Sequence, residues 1–276
     1  MAPPRALRNH QKSTPRPSIA MTDISLPRVL ILTPVKNAAG HLKTYAKLVR
    51  RLDWPRERLS IGLLESDSTD DTWKRLERLR PRLEARASRV TLAQKAFNFQ
   101  MPEGPPRWSP GFQLARRAVL ARSRNHLLFA ALKDEDWVLW VDVDVVDYPA
   151  DTLHRLLAEG LDILQPNCVL KKGGLTFDLN GWAERGEKVL HDYRGAGGPV
   201  RLDSVGGCML LVRADIHRDG LVFPAYPYGV RSETIRDPHP VWGLGEIETE
   251  GLAMMARDMG YQCWGLPDFE IYHAWT

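Results

Sequence analysis

Four short apolar runs divide the first half of the chain at regular intervals. They lie at 28–33, 59–66, 89–97 and 136–143, and segments with helical spacing separate most of them. The first two runs are largely apolar, which is typical of a strand that is buried on both faces, and the third is a shorter, more mixed strand. Strands that alternate with helices in this way predict an α/β protein with a mostly parallel central sheet flanked by helices.

Helix signals accompany these strands. Asn37 is a candidate cap for a helix over 38–52, and Ser68 or Thr69 for the next helix, which Pro81 should break or kink. A four-proline segment at 98–111 predicts a loop before a long helix over 112–133.

The second half of the chain is less regular. We expect a helix near 150–159, a strand at "DILQP", two short strands within 200–213 that meet at a Gly-Gly kink, and a helix over about 246–259. The segments 171–199 and 224–245 are rich in glycine or proline and predict loops. The chain closes with "YQCWGLP" and "FEIYHAWT".

The long helix has a clear apolar stripe. Arg117 and Arg124 border this stripe, seven residues apart, and arginines at such a boundary usually extend toward water. A guanidinium directed at a pyrophosphate is the alternative. The stripe that we expect to be buried consists of Leu114, Ala118, Ala121, Asn125, Leu128 and Leu132.

Composition narrows the class of protein. Among 276 residues, 43% are hydrophobic and 26% charged, as in an ordinary globular protein. The net charge of +4 arises in residues 1–28, which hold five basic residues and one acidic residue, so the remainder is neutral. A neutral body argues against nucleic-acid binding. Residues 1–26 predict a disordered basic tail, with weak contact to an anionic membrane surface as an option and Met21 as an alternative start.

Two further patterns in the sequence bear on the cellular location of the protein. The three cysteines are widely separated and predict buried free thiols in a reducing compartment. The chain shows neither an apolar run of about 20 residues nor a signal-peptide centre. A cytoplasmic protein is therefore expected.

Carboxylates end two of the buried strands. In an open parallel sheet, ligands bind at the carboxyl ends of the strands, so Asp67, Asp142 and Asp144 should line one crevice. Asp142 and Asp144 point the same way if extended, and two such carboxylates suit Mn²⁺ or Mg²⁺ that also binds a substrate phosphate. Solvated acids at a strand end are the alternative, and Asp67 is equally placed to cap a helix.

Two later residues are further candidates. Glu248 begins the apolar stripe of the last helix, either as a partner of the helix dipole or as an acceptor for a sugar or acceptor hydroxyl. His273, near the end of the chain, is either a packed residue or a third metal ligand.

Eight blocks in order resemble the Anp1/Mnn9/Van1 family of mannosyltransferases. They are "ILTPVKNAAGHL", "LLESDSTDDT", "SRNHLL", "WVLWVDVDV", "TFDLNGW", "RLDSVGGCMLLV", "ETEGLAMMA" and "GLPDFEIYHAW", and together they span about residues 28–276. The resemblance implies a GT-A fold, Rossmann-like and typical of nucleotide-diphospho-sugar transferases. It also implies GDP-mannose as donor, Mn²⁺ as the usual ion, and retention of anomeric configuration.

The resemblance also implies roles for single residues. Asp142 and Asp144 match the family's DxD motif, and His273 its C-terminal metal-binding histidine. Arg124 matches the arginine at the donor phosphates. The wall around the guanosine corresponds to Pro34, Asn37, Glu65 and Asp67. The blocks that face the donor sugar and the acceptor contain Asp178, Asn180, Asp203 and Glu248.

These expectations combine into one assignment. Residues 27–276 form a single GT-A domain, with a nucleotide-sugar half at 27–147 and an acceptor half at 148–276. It transfers a sugar to a glycan, lipid-linked or small hydroxyl acceptor, and the oligomeric state is left open. Glu248 or Asp203 would be the general base if the enzyme inverts configuration. The alternatives are a haloacid-dehalogenase-type phosphatase and a non-catalytic nucleotide-sugar-binding subunit.

Overall fold

The computed structural model describes residues 26–104, 109–238 and 242–275. The predicted disordered tail, apart from its last residue, and the choice between Met1 and Met21 lie outside these residues. The strands are β1 (Val29–Val35), β2 (Leu59–Glu65), β3 (Arg89–Gln94), β4 (Trp137–Val141), β5 (Val145–Asp147), β6 (Ile163–Val169), β7 (Trp182–Ala183), β8 (Lys188–Val189), β9 (Val200–Leu202), β10 (Met209–Arg213) and β11 (Cys263–His273). The α-helices are α1 (Leu42–Arg51), α2 (Thr72–Glu84), α3 (Pro110–Ala131), α4 (Thr152–Ala158), α5 (Ala214–Arg218) and α6 (Glu248–Asp258).

One mixed sheet organises the protein. Its strand order is β3-β2-β1-β4-β10-β6-β11-β5, with β9 also paired to β11. The first four strands are mutually parallel, as are β6 and β11, whereas β10 runs antiparallel between β4 and β6. The prediction of a mostly parallel sheet is therefore confirmed. β7 and β8 form a separate small hairpin inside the predicted 171–199 loop.

Both faces of the sheet are buried. Along β1, Val29 and Ile31 belong to one core cluster, and Leu30 and Leu32 belong to the other. Helices α1, α2 and α4 cover the first face, whereas α3, α5 and α6 cover the second. Because alternate residues point to opposite apolar layers, the strands read as continuous apolar runs. The three cysteines are free and buried, as expected.

Two predicted helix caps, and a helix break at Pro81, are wrong. Asn37 has a φ of 47°, and α1 begins at Leu42, because the Asn37 carboxamide instead accepts a hydrogen bond from the Thr69 amide at 2.8 Å. α2 begins at Thr72, whose amide donates to the Asp70 carboxylate at 3.0 Å. Pro81 lies within α2, which continues to Glu84. No helix in the described part of the chain has the length and apolar composition of a membrane span.

His217 is a buried histidine held in its neutral form. The Trp140 indole N–H donates to His217 Nε2 at 3.2 Å, so Nδ1 carries the proton and donates to the Leu221 carbonyl at 2.7 Å. Burial is the main reason that the pKa of His217 is lowered to about 4. A second proton on the ring would place two N–H groups against each other beside Trp140.

We expect acidification to destabilise the protein through His217. The folded pKa lies below the unfolded value of about 6.5, so this contribution is complete above pH 6.5 and is lost as the pH falls toward 4. Between pH 7 and pH 4.5, the free energy of unfolding measured in urea titrations should fall by about 2–3 kcal/mol more for wild-type protein than for His217→Gln. His126→Gln, at an exposed position of α3, is the control and should behave like wild type. Parallel pH curves for wild type and His217→Gln would contradict this account.

Candidate active site

Two adjoining cavities open beyond the carboxyl ends of β1 and β4. The first has a volume of about 660 Å³ and extends along the loops that follow β1, β2 and β3. The second, of about 310 Å³, lies between α3, the segment at 177–180 and the start of α6. The residues that line both cavities are Arg116, Leu120, Asp142 and Asp144. The two aspartates therefore stand where the cavities meet.

Asp142 and Asp144 lie in a tight turn and not in an extended segment. Asp142 directly follows β4, and its carbonyl accepts a hydrogen bond from the Val145 amide at 3.2 Å. The Asp142 amide donates to the Cys208 carbonyl at 2.9 Å, which ties the turn to the residue before β10. The expected i, i+2 strand geometry is thus replaced by a turn between β4 and β5, yet both residues still face the cavities.

Arg124 occupies the centre of the site. Only 1% of this residue is exposed, so the expectation that it extends toward water is wrong. Its Nη2 donates to Asp142 Oδ1 at 2.9 Å, and its Nε donates to Glu248 Oε1 at 2.7 Å. Two carboxylates on different elements therefore fix the orientation of its guanidinium.

Burial also makes the Asp142 carboxyl a weaker acid than usual. Desolvation raises the pKa of Asp142 to about 6, with Asp144 among the carboxylates that add to the shift, although the Arg124 guanidinium opposes it. The Asp142 side chain is 29% exposed and faces the cavities. Its charge therefore depends strongly on which cations are nearby.

Glu248 is a buried carboxylate at the first position of α6. Its φ of 58° is left-handed, which costs a non-glycine residue about 1–2 kcal/mol. Burial would raise the pKa of Glu248, but Arg124 and Arg117 outweigh it and the pKa is lowered. A carboxylate held ionised by two arginines is a weak general base, so this geometry does not favour that role for Glu248.

His273 reaches the site from the end of β11. Its Nε2 lies 3.0 Å from Asp144 Oδ1, and its ring stacks on Phe177 with centroids 4.2 Å apart. Across residues 26–104, 109–238 and 242–275, no three His, Cys, Asp or Glu side chains form a group that could hold a metal ion. The expected three-ligand set is therefore only partly assembled: Asp144 and His273 are adjacent, whereas Asp142 is bonded to Arg124.

Asp178 and the Gly206–Gly207 pair fit together at the wall of the second cavity. The Asp178 carboxylate accepts hydrogen bonds from the Gly207 amide at 2.7 Å and the Cys208 amide at 3.0 Å. A Cβ at Gly206 would lie 2.1 Å from Asp178 Oδ2, and one at Gly207 would lie 2.5 Å from Arg124 Nη2. Because hydrogen bonds already fix the Asp178 carboxylate and the Arg124 guanidinium, neither can move aside easily, and both positions favour glycine. Sequence analysis identified the pair only as a kink. Asn180 lines the second cavity beside Asp178.

The predicted guanosine wall divides into two groups. Pro34 and Asn37 line the first cavity. Glu65 and Asp67 are not among the described residues that line either cavity. The Glu65 carboxylate instead accepts hydrogen bonds from the Ser68 amide at 2.8 Å and the Gln94 side chain at 2.7 Å.

Asp67 and Asp203 are occupied by contacts with the protein itself. The Asp67 carboxylate accepts hydrogen bonds from the backbone amides of residues 97–99 at 3.0–3.2 Å. It thereby holds the segment that carries Phe99 into the first cavity. Asp203 lies outside the described lining of both cavities and pairs with Arg257 at 3.3 Å. The structure does not bring Asp203 to the site.

Several lining residues were not anticipated from the sequence. Lys36 lines the first cavity, donates to the Phe99 carbonyl, and has its pKa lowered chiefly by burial. Arg116 lines both cavities. Only weak features of the sequence pointed to these two residues as part of the site. Lys36 stands between Pro34 and Asn37, and Arg116 immediately precedes Arg117.

Comparison with known proteins bears on this site. A sequence model of the Anp1 family matches residues 18–194 and 191–227. Mannan polymerase complex subunit mnn9 of Schizosaccharomyces pombe is 30% identical over 89% of this chain and 79% of its own length. Mannan polymerase complex subunit MNN9 of Candida albicans is 28% identical over 89% of this chain and 74% of its own length.

A solved structure adds a comparison of folds. The mannosyltransferase PcManGT from Pyrobaculum calidifontis, in complex with GDP-Man and Mn²⁺, superimposes with a TM-score of 0.55 at 17% sequence identity. The match covers 90% of this chain and 57% of that chain.

The mostly parallel sheet, helices on both of its faces and this similarity define a GT-A glycosyltransferase fold. The family match over more than half of the chain, together with the identity to the fission-yeast subunit, shows which group of these proteins it is. The chain belongs to the Anp1 family. The resemblance inferred from the motifs is confirmed, and family and fold together speak against the phosphatase alternative.

Proposed function

We propose that the protein transfers mannose from GDP-mannose to a hydroxyl group of a glycan acceptor. The observation that carries this proposal is the position of Asp142 and Asp144 where the two cavities meet. A nucleoside in the larger cavity and a sugar in the smaller one would place the diphosphate beside these aspartates. The names of the two relatives and the GDP-Man bound to the structural neighbour support the choice of donor.

The charges around the second cavity fit a divalent cation. A diphosphate would bring further negative charge to a lining that already carries more carboxylates than guanidiniums, which disfavours binding without a cation. Asp144 and His273, an oxygen and a nitrogen ligand already in contact, would hold Mn²⁺ or Mg²⁺. The charged lining residues are Asp142, Asp144, Asp178, Glu248, Arg116, Arg117 and Arg124.

The side chains then have separate tasks. When bound, the ion neutralises charge that develops on the departing diphosphate. Arg124, which the protein holds in one orientation, supplies a fixed positive charge at the same place. Asp142, at the junction of the cavities, holds the Arg124 guanidinium against the second cavity.

Retention of configuration agrees with the state of Glu248. Its lowered pKa makes it a poor acceptor for the proton of an attacking hydroxyl. Asp203, the other candidate base, pairs with Arg257 outside the cavities. The departing phosphate of the donor is then the group that takes the proton of the acceptor on the same face of the sugar.

Donor choice gives the direct test. Purified protein is incubated with Mn²⁺ and GDP-mannose, a UDP-sugar or an ADP-sugar, with and without a mannoside acceptor. Of the three donors, we expect only GDP-mannose to release its nucleoside diphosphate. This release should be faster when the acceptor is present and should be abolished by EDTA. Tight binding of GDP-mannose without turnover would instead support the non-catalytic subunit. Equal turnover of all three donors would overturn the assignment of GDP-mannose.

A further inference from the structure

A row of alternating buried charges starts at the cavities and ends in the loop before α6. Asp142 contacts Arg124 at 2.9 Å, and Arg124 contacts Glu248 at 2.7 Å. Glu248 lies 3.9 Å from Arg117, which forms an ion pair with Glu250. Glu250 contacts Arg236 at 2.5 Å, and Arg236 contacts Glu246 at 2.9 Å. We refer to this row as the charge chain: Asp142, Arg124, Glu248, Arg117, Glu250, Arg236 and Glu246.

The interior members of the charge chain depend on one another. Glu246, Glu248 and Glu250 are at most 4% exposed, and Arg117 is 7% exposed. A charge at such depth is stable only with its counter-charge in place, because water cannot replace the missing partner. Loss of one member is therefore expected to change the positions of its neighbours, as in other buried polar networks.

Arg236 anchors the far end of the charge chain. It lies in the loop between Phe223 and Ile247, and two of its nitrogens donate to Glu246 at 2.9 and 3.0 Å. Its guanidinium stacks 4.6 Å from the Trp182 ring, whose N–H donates to Glu250 at 3.0 Å. Arg236 thus joins this loop to the first turn of α6 and to the β7–β8 hairpin.

Removal of Arg236 would leave Glu250 with Arg117 as its remaining cation in the charge chain. Arg117 already forms an ion pair with Glu250 and donates to the Ile247 carbonyl at 2.9 Å. As the cation left to neutralise Glu250, it would give up its longer contact with Glu248, which is 3.9 Å. Glu248 would then keep Arg124 as its cation in the charge chain, beside the Thr249 hydroxyl that donates to it at 2.9 Å. Its backbone at this helix start is already left-handed. The Arg124 guanidinium would turn away from Asp142 as a result.

We propose that Arg236 is a positioning residue for Arg124 and acts through Glu250, Arg117 and Glu248. Arg236 thereby controls the orientation of Arg124, a cation that lines the second cavity beside Asp142. The consequence for donor binding rests on the proposed function, whereas the control of Arg124 does not.

The test compares Arg236→Met with a matched control. Arg213 is also bonded to two carboxylates, Asp162 and Asp215, and also lies over an aromatic ring, that of Tyr261, so Arg213→Met removes an equivalent cation elsewhere. The readout is the side-chain ¹⁵N NMR signal of the Arg124 Nε–H group, which donates to Glu248. In Arg236→Met this signal should shift, and its exchange with water should become at least about tenfold faster. Arg213→Met should leave the signal unchanged. Arg236→Lys should shift the signal by less than Arg236→Met does.

Two further measurements keep the outcomes separate. Glu246→Gln weakens the contacts of Arg236 without removing its side chain. It should shift the same Arg124 signal, but by less than Arg236→Met does. This variant still tests the proposal if Arg236→Met does not fold. The affinity for GDP with Mn²⁺ should fall about tenfold in Arg236→Met. If wild-type protein binds no GDP, the proposed function fails while the NMR result still stands. An unmoved Arg124 signal in folded Arg236→Met or Glu246→Gln would overturn the positioning role.

Discussion

Replacing Asp144 by alanine should reduce sugar transfer at least about 100-fold and leave the fold intact. Asp144 stands at the junction of the cavities and contacts His273 at 3.0 Å. Its removal takes away the carboxylate best placed to hold the cation, and such an ion contributes several kcal/mol to stabilising charge in the transition state. Initial rates with GDP-mannose and Mn²⁺, measured beside thermal unfolding, would check both parts of this expectation.

Asp147→Ala is the matched control for this experiment. Asp147 lies three residues further along, is half exposed and pairs with Arg51 at 2.5 Å, away from both cavities. Its removal should change the rate by less than about twofold, since surface ion pairs contribute little. Full activity of Asp144→Ala, with the same dependence on Mn²⁺ as wild type, would remove the basis for a cation at Asp144.

Arg124→Met should lower the free energy of unfolding by about 3–5 kcal/mol, because it takes away the nearest cation of the buried Glu248 carboxylate. Glu248 is 3% exposed and cannot recover water contacts when the guanidinium is gone. The affinity for GDP should fall as well. Urea denaturation and calorimetry with GDP and Mn²⁺ are the measurements.

Two other substitutions serve as controls for Arg124→Met. Arg122→Met, at an exposed position on the same helix, should cost less than about 1 kcal/mol. Arg124→Lys keeps the charge but cannot donate to Asp142 and Glu248 in the same fork, so its stability should fall between wild type and Arg124→Met. If Arg124→Met were as stable as Arg122→Met, the buried ion pairs would not hold the site together.

The sheet could be predicted well because its strands are buried on both faces. The central strands β1, β2 and β4 read as largely apolar runs, and the helices that cover them alternate with those runs. The three-residue strand β5 and the five-residue helix α5 were not predicted, since neither is long enough to show a period. Asn37 was assigned as a cap because its residue type suits that role, but its partner is a loop 32 residues away.

The candidate site was less predictable because its geometry depends on distant partners. Arg124 was placed at the border of an apolar stripe, whereas the structure buries it against Glu248, which lies 124 positions later in the chain. No helical period reveals such a partner. Likewise, the need for Gly206 and Gly207 follows from Asp178 and Arg124, which reach them from other elements. Residue type and strand ends indicated where the chemistry lies, and only tertiary packing shows how those groups are held.

The placement of β10 affects how this protein could be divided for engineering. All five of its residues pair with β4, although the two strands are 67 residues apart between Val141 and Met209. An expressed piece that stops after residue 147 would leave the apolar strand β4 with one row of open backbone groups, a template for aggregation. Chimeras should therefore take β4 and β10 from the same parent, and Arg236 should stay together with Glu246 and Glu250, to which it is bonded.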